Sequence, residues 1–297
     1  MERENIFKGV GVALVTPFLE NGDIDFEALR SLVDSVIAGG VDFLCVLGTT
    51  AETPCLSAAE RLLVMETVAE TAAARVPLLL GCGGNNTREV VNFLQTADLS
   101  AYQGVLIVTP YYNRPSQEGL FCHFESIASV SPLPVVLYNV PGRTGVNLQT
   151  ETTIRIANAC QNVVAIKEAS GNLEQIGEIL RLAPDGFEVL SGDDALTLNM
   201  VAMGAVGVIS VVGNACPSEY TSLVHAALQA DNERAQLWQS RLGNLYKLLM
   251  VDGNPSGVKA LLAEQKKIKN ILRLPLVPAR VETQDLIRKE LSLLTSL

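Results

Sequence analysis

Short apolar runs rich in valine, isoleucine and leucine recur along this chain, and stretches with helical character separate them. There are eight such runs: VGVALVTP, DFLCVLGTT, PLLLGCGG, GVLIVTPYY, LPVVLYNVP, VVAIKEAS, FEVLSGDD and AVGVISVVGN. Continuous apolar strands separated by amphipathic helices are typical of a parallel sheet that is covered on both faces. Eight units of this kind favour closure into a TIM (β/α)8 barrel, with an open doubly wound sheet as the alternative.

The segments between the apolar runs contain helix signals. Residues 26–40, FEALRSLVDSVIAGG, place their apolar side chains on one helical stripe and end at two glycines. Residues 57–74 begin with Ser57, and Glu60 follows three residues later, which is the pattern of a capping box. A regular alternation of strand, loop and helix is therefore predicted around the barrel.

The alternation of predicted strands and helices ends at about residue 230. Later segments, such as ERAQLWQSRLGNLYKLLM and QDLIRKELSLLTSL, are typical of helices. We expect an α/β protein in which residues 1–230 form the barrel with the active site. Residues 231–297 are then a C-terminal helical appendage, because about seventy residues packed on a barrel need no core of their own.

Charge and composition exclude several classes of function. The formal net charge is −10, which opposes binding to nucleic acid or to an anionic membrane. The first residues, MERENIF, lack the apolar core of a secretory signal, and no run of about 18 apolar residues occurs. We expect a cytoplasmic protein. Since His123 and His225 are the only histidines, a histidine-based zinc site or a Ser-His-Asp triad is disfavoured.

Lys167 lies near the end of the run VVAIKEAS, which we interpret as a buried strand. Desolvating an ammonium group is costly, so such a lysine either pairs with an opposite charge or works as a neutral amine. The adjacent Glu168 is a poor partner because neighbouring strand residues point to opposite faces. We therefore interpret Lys167 as a candidate Schiff-base nucleophile.

Polar residues also gather at the ends of the other predicted strands, where barrel enzymes build their active sites. Tyr138 either moves protons or is an amphipathic core residue. Arg143 either binds a substrate carboxylate or is a solvent-exposed charge. Thr49 and Thr50 either hold a carboxylate or cap a helix. The residues alone leave these alternatives open.

The glycine-rich turns do not form a nucleotide site. GVGVAL and GCGGNN both lack the last glycine of GxGxxG, and GxxxxGK[ST] does not occur. The pair Asp193 and Asp194 suits either a metal ion or a helix N-cap, and we favour the N-cap.

Five motifs in order, GTTAE, VTPYYNRPSQEG, YNVPGRTG, IKEASGN and LSGDD, resemble those of the dihydrodipicolinate synthase family of pyruvate-dependent class I aldolases and lyases. The resemblance extends from Thr16 to Asn214, with a weaker match in GNPSGVK, from Gly253 to Lys259. It implies condensation of pyruvate with L-aspartate 4-semialdehyde to 4-hydroxy-tetrahydrodipicolinate, in the diaminopimelate route to lysine. It also implies a homotetramer that needs no metal or organic cofactor.

The resemblance also implies a role for each matching residue. Catalytic roles fall to the Schiff-base lysine, two proton-relay residues and a tyrosine lent across a subunit interface: Lys167, Tyr138, Thr49 and Tyr112. Substrate binding falls to two side chains and to backbone groups at two further positions: Thr50, Arg143, Gly192 and Ile209. A possible inhibitor site comprises Asn85, Glu89 and Tyr111.

Two departures from the family pattern are informative. Ala51 replaces the usual glycine of GTTAE, a small change that we expect to be tolerated. Ala58 and Arg61 stand where relatives inhibited by lysine often have histidines, so we predict weak or absent lysine feedback.

Two rival functions remain open at this point. One is a sibling lyase, such as N-acetylneuraminate lyase or a 2-keto-3-deoxy acid aldolase, and Arg143 argues against it. The other is a non-catalytic sensor on the same barrel. Retention of the four catalytic residues argues against the sensor.

Overall fold

The computed structural model describes residues 6–295 and contains a closed barrel of parallel strands in sequential order. The strands are β1 (Gly9–Ala13), β2 (Phe43–Val46), β3 (Leu78–Gly81), β4 (Gly104–Val108), β5 (Val135–Asn139), β6 (Val163–Glu168), β7 (Glu188–Ser191) and β8 (Gly207–Ser210). The predicted TIM barrel is confirmed, and the open doubly wound alternative is wrong. The expectation drawn from MERENIF falls largely on residues 1–5, which lie outside the described residues.

Helices follow the strands along the chain and continue after the last strand. They are α1 (Phe26–Ala38), α2 (Ala58–Ala72), α3 (Thr87–Thr96), α4 (Gln117–Ala128), α5 (Pro141–Thr144), α6 (Thr150–Ala159), α7 (Leu173–Leu182), α8 (Thr197–Met203), α9 (Pro217–Leu228), α10 (Asn232–Val251), α11 (Ser256–Glu264) and α12 (Val281–Thr295). The last three confirm the predicted C-terminal helices. The domain boundary at residue 230 stays a prediction. Within residues 6–295, none of these helices has the length and apolar character needed to cross a membrane.

The chain divides into two compact units, and the first comprises residues 77–209 together with the described residues before Gly9. Its strands are almost wholly apolar and buried, as two covered faces require. The register between β5 and β6 aligns Tyr138 with Lys167 and Asn139 with Glu168. This register brings together the polar residues at the ends of two neighbouring strands.

The second unit comprises residues 9–76 together with the described residues from 210 onwards. The apolar stripe of α1 is buried, and the helix ends at the predicted glycine pair, where Gly40 has a φ of +86°. The predicted capping box of α2 is also confirmed. The Ser57 hydroxyl accepts from the Glu60 N–H at 3.2 Å, and the Glu60 carboxylate accepts from the Ser57 N–H at 2.8 Å.

The predicted N-cap at Asp193 and Asp194 is wrong. Helix α8 begins only at Thr197, with Leu196 at the cap position. The Asp193 carboxylate instead accepts from the N–H of Ala195 at 2.9 Å, so it closes a turn before the helix.

Candidate active site

Lys167 and Tyr138 form the centre of the candidate site in the first unit. They are register partners on β6 and β5, and the Lys167 Nζ lies 4.4 Å from the centroid of the Tyr138 ring. Each residue is only 6% exposed. A largely buried amine thus lies against a tyrosine ring. This arrangement suits a nucleophilic lysine with a neighbouring group that can transfer protons.

Glu168 points to the other face of β6 and is fully buried. Its carboxylate accepts hydrogen bonds from the Asn139 Nδ2 at 3.1 Å, the Gln175 Nε2 at 3.1 Å and the Ser170 N–H at 2.8 Å. These donors satisfy the buried carboxylate oxygens. They also tie the end of β6 to the end of β5, which fixes the strand positions of the lysine and the tyrosine.

Sequence reasoning missed this amide network. Asn139 follows Tyr138 directly, and its side chain also donates to the Asn147 Oδ1 at 2.8 Å. The Asn147 Nδ2 in turn donates to the Gln175 Oε1 at 2.8 Å. The alternation of faces along a strand could have suggested that Asn139 lies on the same side as Glu168, but not which amides meet it.

Gly192 leaves space for the lysine side chain. A Cβ at this position would lie 2.6 Å from the Ala169 Cβ and 3.0 Å from the Lys167 Cε. The Gly192 N–H donates to the Glu168 carbonyl at 2.8 Å, and the part of Gly192 in substrate binding stays a prediction. Ile209, the other predicted backbone contact, is buried on β8.

Tyr112 lies in the loop after β4, and its side chain projects outwards. It is 90% exposed and has a φ of +72°, which is rare for a residue other than glycine. Its N–H donates to the Thr144 carbonyl at 3.4 Å, and the Thr109 hydroxyl donates to the Thr144 hydroxyl at 3.3 Å. These bonds hold the loop against the short helix α5.

Arg143 lies in α5, which forms one turn directly after β5. Its backbone N–H donates to the Val140 carbonyl at 2.9 Å, and its side chain is exposed. An exposed guanidinium on a short, fixed turn can meet a carboxylate that arrives from solvent.

Two of the three predicted inhibitor-site residues lie together. The Asn85 Nδ2 donates to the Tyr111 carbonyl at 3.2 Å, and the Asn113 Nδ2 donates to the Asn85 carbonyl at 3.1 Å. Glu89 lies in the first turn of α3 and accepts from the Asn86 Nδ2 at 3.0 Å.

Thr49 and Thr50 belong to the second unit, where they form a 3₁₀ turn with Ala51 directly after β2. Gly48 precedes the turn, and no side chain caps it, so the helix-cap alternative is wrong. Thr50 is buried, and its hydroxyl accepts from the Asn254 Nδ2 at 3.0 Å. Ala51 is buried, and its tolerance in place of the family's glycine stays a prediction.

Glu52 and Lys259 form an ion pair in the second unit, and both side chains are 0% exposed. The Lys259 Nζ contacts a Glu52 carboxylate oxygen and donates to the Ile271 carbonyl at 2.9 Å. Burial lowers the pKa of Lys259 to about 8, while the negative charge of Glu52 acts in the opposite direction. Sequence reasoning missed the pair, although both residues lie in matching motifs, GTTAE and GNPSGVK.

Among residues 6–295, no group of three or more histidine, cysteine, aspartate or glutamate side chains could hold a metal ion.

Comparison with known proteins identifies the family. Residues 6–294 match the Dihydrodipicolinate synthetase family, and the chain belongs to it. The 4-hydroxy-tetrahydrodipicolinate synthase of Phocaeicola vulgatus is 50% identical over 281 residues, which cover 95% of each chain. The assignment made from the five motifs is therefore confirmed.

Solved structures agree with this assignment. Dihydrodipicolinate synthase from Thermotoga maritima superposes with a TM-score of 0.95 at 41% identity, covering 99% of this chain and 100% of that one. The chloride-inhibited dihydrodipicolinate synthase from Acinetobacter baumannii, complexed with pyruvate, also gives a TM-score of 0.95, at 35% identity. It covers 99% of this chain and 100% of its own.

Proposed function

We propose that this protein condenses pyruvate with L-aspartate 4-semialdehyde to give 4-hydroxy-tetrahydrodipicolinate. The observation that supports this most directly is the buried Lys167 amine against the Tyr138 ring, in a chain that belongs to this family. The similar protein from Acinetobacter baumannii is known in complex with pyruvate, which suits the same first substrate.

In the proposed reaction, the Lys167 amine adds to the ketone carbon of pyruvate, and the ketone oxygen leaves as water. The resulting imine loses a methyl proton and becomes an enamine. Its carbon adds to the aldehyde carbon of the second substrate, whose oxygen takes a proton and becomes a hydroxyl. The amine of that substrate then attacks the imine carbon, closes the ring and expels Lys167.

The proton transfers are assigned to the phenol of Tyr138, with Thr49 and Tyr112 completing the relay. Thr50 is assigned to the pyruvate carboxylate. Arg143 is assigned to the carboxylate of the aldehyde substrate, which its exposed and planar guanidinium suits. The missing Cβ of Gly192 leaves room for the Lys167 side chain, which lets its amine reach the ketone.

Tyr112 is proposed to act in the site of a second subunit. A tyrosine side chain that is 90% exposed has no catalytic surroundings of its own, but it is well placed to enter a neighbouring molecule. This role requires at least a dimer, and we propose a cytoplasmic homotetramer.

Asn85, Glu89 and Tyr111 are proposed to form the remnant of a regulatory site with weak or absent sensitivity to lysine. Ala58 and Arg61 offer no imidazole at the positions where inhibited relatives often have one.

A substrate comparison tests the proposed function. The purified protein is assayed with pyruvate and L-aspartate 4-semialdehyde, and separately for cleavage of N-acetylneuraminate and of a 2-keto-3-deoxy sugar acid. We expect turnover of the first pair alone. Efficient cleavage of either sugar acid, without condensation, would assign the chain to a sibling lyase. No turnover of any substrate would favour the sensor.

A further inference from the structure

The hydroxyl of Thr50 has a buried hydrogen-bond donor. Asn254 donates through its Nδ2 to the Thr50 Oγ1 at 3.0 Å, and the two residues are 8% and 2% exposed. An amide NH₂ group can only donate, so the Thr50 oxygen is the acceptor in this contact. The hydroxyl proton of Thr50 is therefore directed to another acceptor.

The turn that contains Thr50 is anchored by the same C-terminal segment. Glu52 has a left-handed backbone, with φ 55° and ψ 34°, and its carboxylate is neutralised by the buried Lys259. Its second oxygen accepts from the Arg273 N–H at 3.0 Å. The Lys259 Nζ also lies 4.2 Å from the centroid of the Phe18 ring.

These contacts have an electrostatic consequence for an anionic substrate. Glu52 lies two residues after Thr50, and an unpaired buried carboxylate there would repel a second carboxylate. Lys259 cancels that charge, while Asn254 adds a neutral donor beside the hydroxyl. Both residues come from the segment GNPSGVK, whose match to the family motifs was only weak.

We propose that Asn254 is a positioning residue that commits the Thr50 hydroxyl to donate to the substrate carboxylate, on a turn that the Glu52–Lys259 pair holds. The proposal rests on the proposed function, because it assigns the pyruvate carboxylate to Thr50. It extends that function by giving the C-terminal segment a part in substrate recognition.

The substitution Asn254→Asp tests the proposal with almost no change in shape. A carboxylate at residue 254 can only accept, so Thr50 would donate to it, and the new charge would repel pyruvate. We expect the pyruvate KM, and the pyruvate concentration for half-maximal borohydride trapping on Lys167, to rise by about tenfold or more. The KM for the aldehyde substrate should stay within about twofold, because its proposed carboxylate partner is Arg143.

The matched control is Asn232→Asp, which makes the same chemical change at the exposed first residue of α10. It should leave both KM values unchanged. Circular dichroism and thermal melts establish that each variant is folded.

A double-mutant cycle of Asn254→Ala and Thr50→Val separates positioning from a purely structural role, and it remains informative if Asn254→Asp fails to fold. Asn254→Ala should raise the pyruvate KM when Thr50 is present and have little further effect when it is valine. Additive effects, or equal changes in both KM values, would overturn the proposal. If the wild-type protein itself does not trap pyruvate, the proposed function fails instead.

Discussion

The Nζ of Lys167 lies 4.4 Å from the centroid of the Tyr138 ring, and the two residues are register partners across β5 and β6. Strand pairing therefore sets the distance between the candidate nucleophile and its candidate proton-transfer group. The amide network around Glu168, on the opposite face of the same strand ends, stabilises that register. Substitutions on either face of these strand ends should consequently change the position of the Lys167 amine.

Gly192→Ala should impair the amine directly. The added Cβ would lie 3.0 Å from the Lys167 Cε and 2.6 Å from the Ala169 Cβ, so the lysine must move. We expect kcat/KM to fall by about tenfold to a hundredfold. The control Gly243→Ala lies in α10, where a Cβ meets no atom within 4 Å. It should keep full activity, and equal losses in both variants would contradict the steric explanation.

Glu168→Gln should destabilise the fold. One carboxylate oxygen becomes an NH₂ group that faces the Asn139 amide and either the Gln175 amide or the Ser170 N–H, so a buried polar contact is lost. We expect the free energy of unfolding in urea to fall by about 1–3 kcal/mol. Glu174→Gln, on the exposed side of α7, should change it by no more than about 0.5 kcal/mol. An unchanged stability in Glu168→Gln would argue that the network does not hold the strands.

His123 should make stability depend on pH. Burial lowers the pKa of His123 to about 4, against an ordinary value of 6.5. The unfolded chain therefore binds the proton first as the pH falls below about 6.5, and the folded state loses stability down to about pH 4. The full difference is about 3 kcal/mol.

The measurement for His123 is urea unfolding at several pH values between 7 and 4.5. The Thr87 hydroxyl lies 2.8 Å from the His123 Nδ1, so His123→Gln keeps a polar group for this contact while removing the titration. The wild type should lose more stability than the variant across this range. Identical pH profiles would show that His123 titrates normally in the folded protein.

Tyr112 and Lys167 should complement each other between subunits. Tyr112→Phe removes the phenolic hydroxyl and keeps the ring, and we expect kcat to fall by about a hundredfold or more. Lys167→Met should abolish activity. When the two variants are unfolded and refolded together, hybrid sites combine an intact Lys167 with an intact Tyr112 from the neighbour. Activity should then exceed the sum of the separate variants, whereas a merely additive result would place Tyr112 outside the partner's site.

Lysine should inhibit the enzyme weakly or not at all. Ala58 and Arg61 lack the imidazoles that often occur in inhibited relatives, although Asn85, Glu89 and Tyr111 are retained. The assay measures initial rates over a range of L-lysine concentrations at fixed pyruvate. Strong inhibition would mean that the retained residues suffice for a working regulatory site.

The barrel could be predicted from the sequence because each strand is a local, continuous apolar run and each helix has its own stripe or cap. Lys167 could be singled out because burying an ammonium group in an apolar strand is costly unless the lysine has a partner or a catalytic role. The position of Tyr138 beside it required the β5–β6 register, which no local pattern fixes. The proton-relay role of Tyr138 was predicted from the family resemblance and not from sequence periodicity.

Long-range polar contacts could not be predicted. Asn254 and Thr50 are separated by 204 positions in the chain, yet their side chains meet in a buried hydrogen bond. Glu52 and Lys259 are similarly distant in sequence, and each alone looks like an ordinary surface charge. The N-cap predicted at Asp193 was wrong for a different reason. An aspartate suits a turn as well as a helix N-cap, and the Asp193 carboxylate closes a turn before α8 begins.

Lys167 is proposed to form the Schiff base with pyruvate. The most direct test is borohydride reduction in the presence of pyruvate, followed by peptide mass spectrometry to locate the modified lysine. The proposed mechanism requires a reduced pyruvate adduct on Lys167 and none on the buried Lys259. An unmodified Lys167, or an adduct only on other lysines, would contradict it.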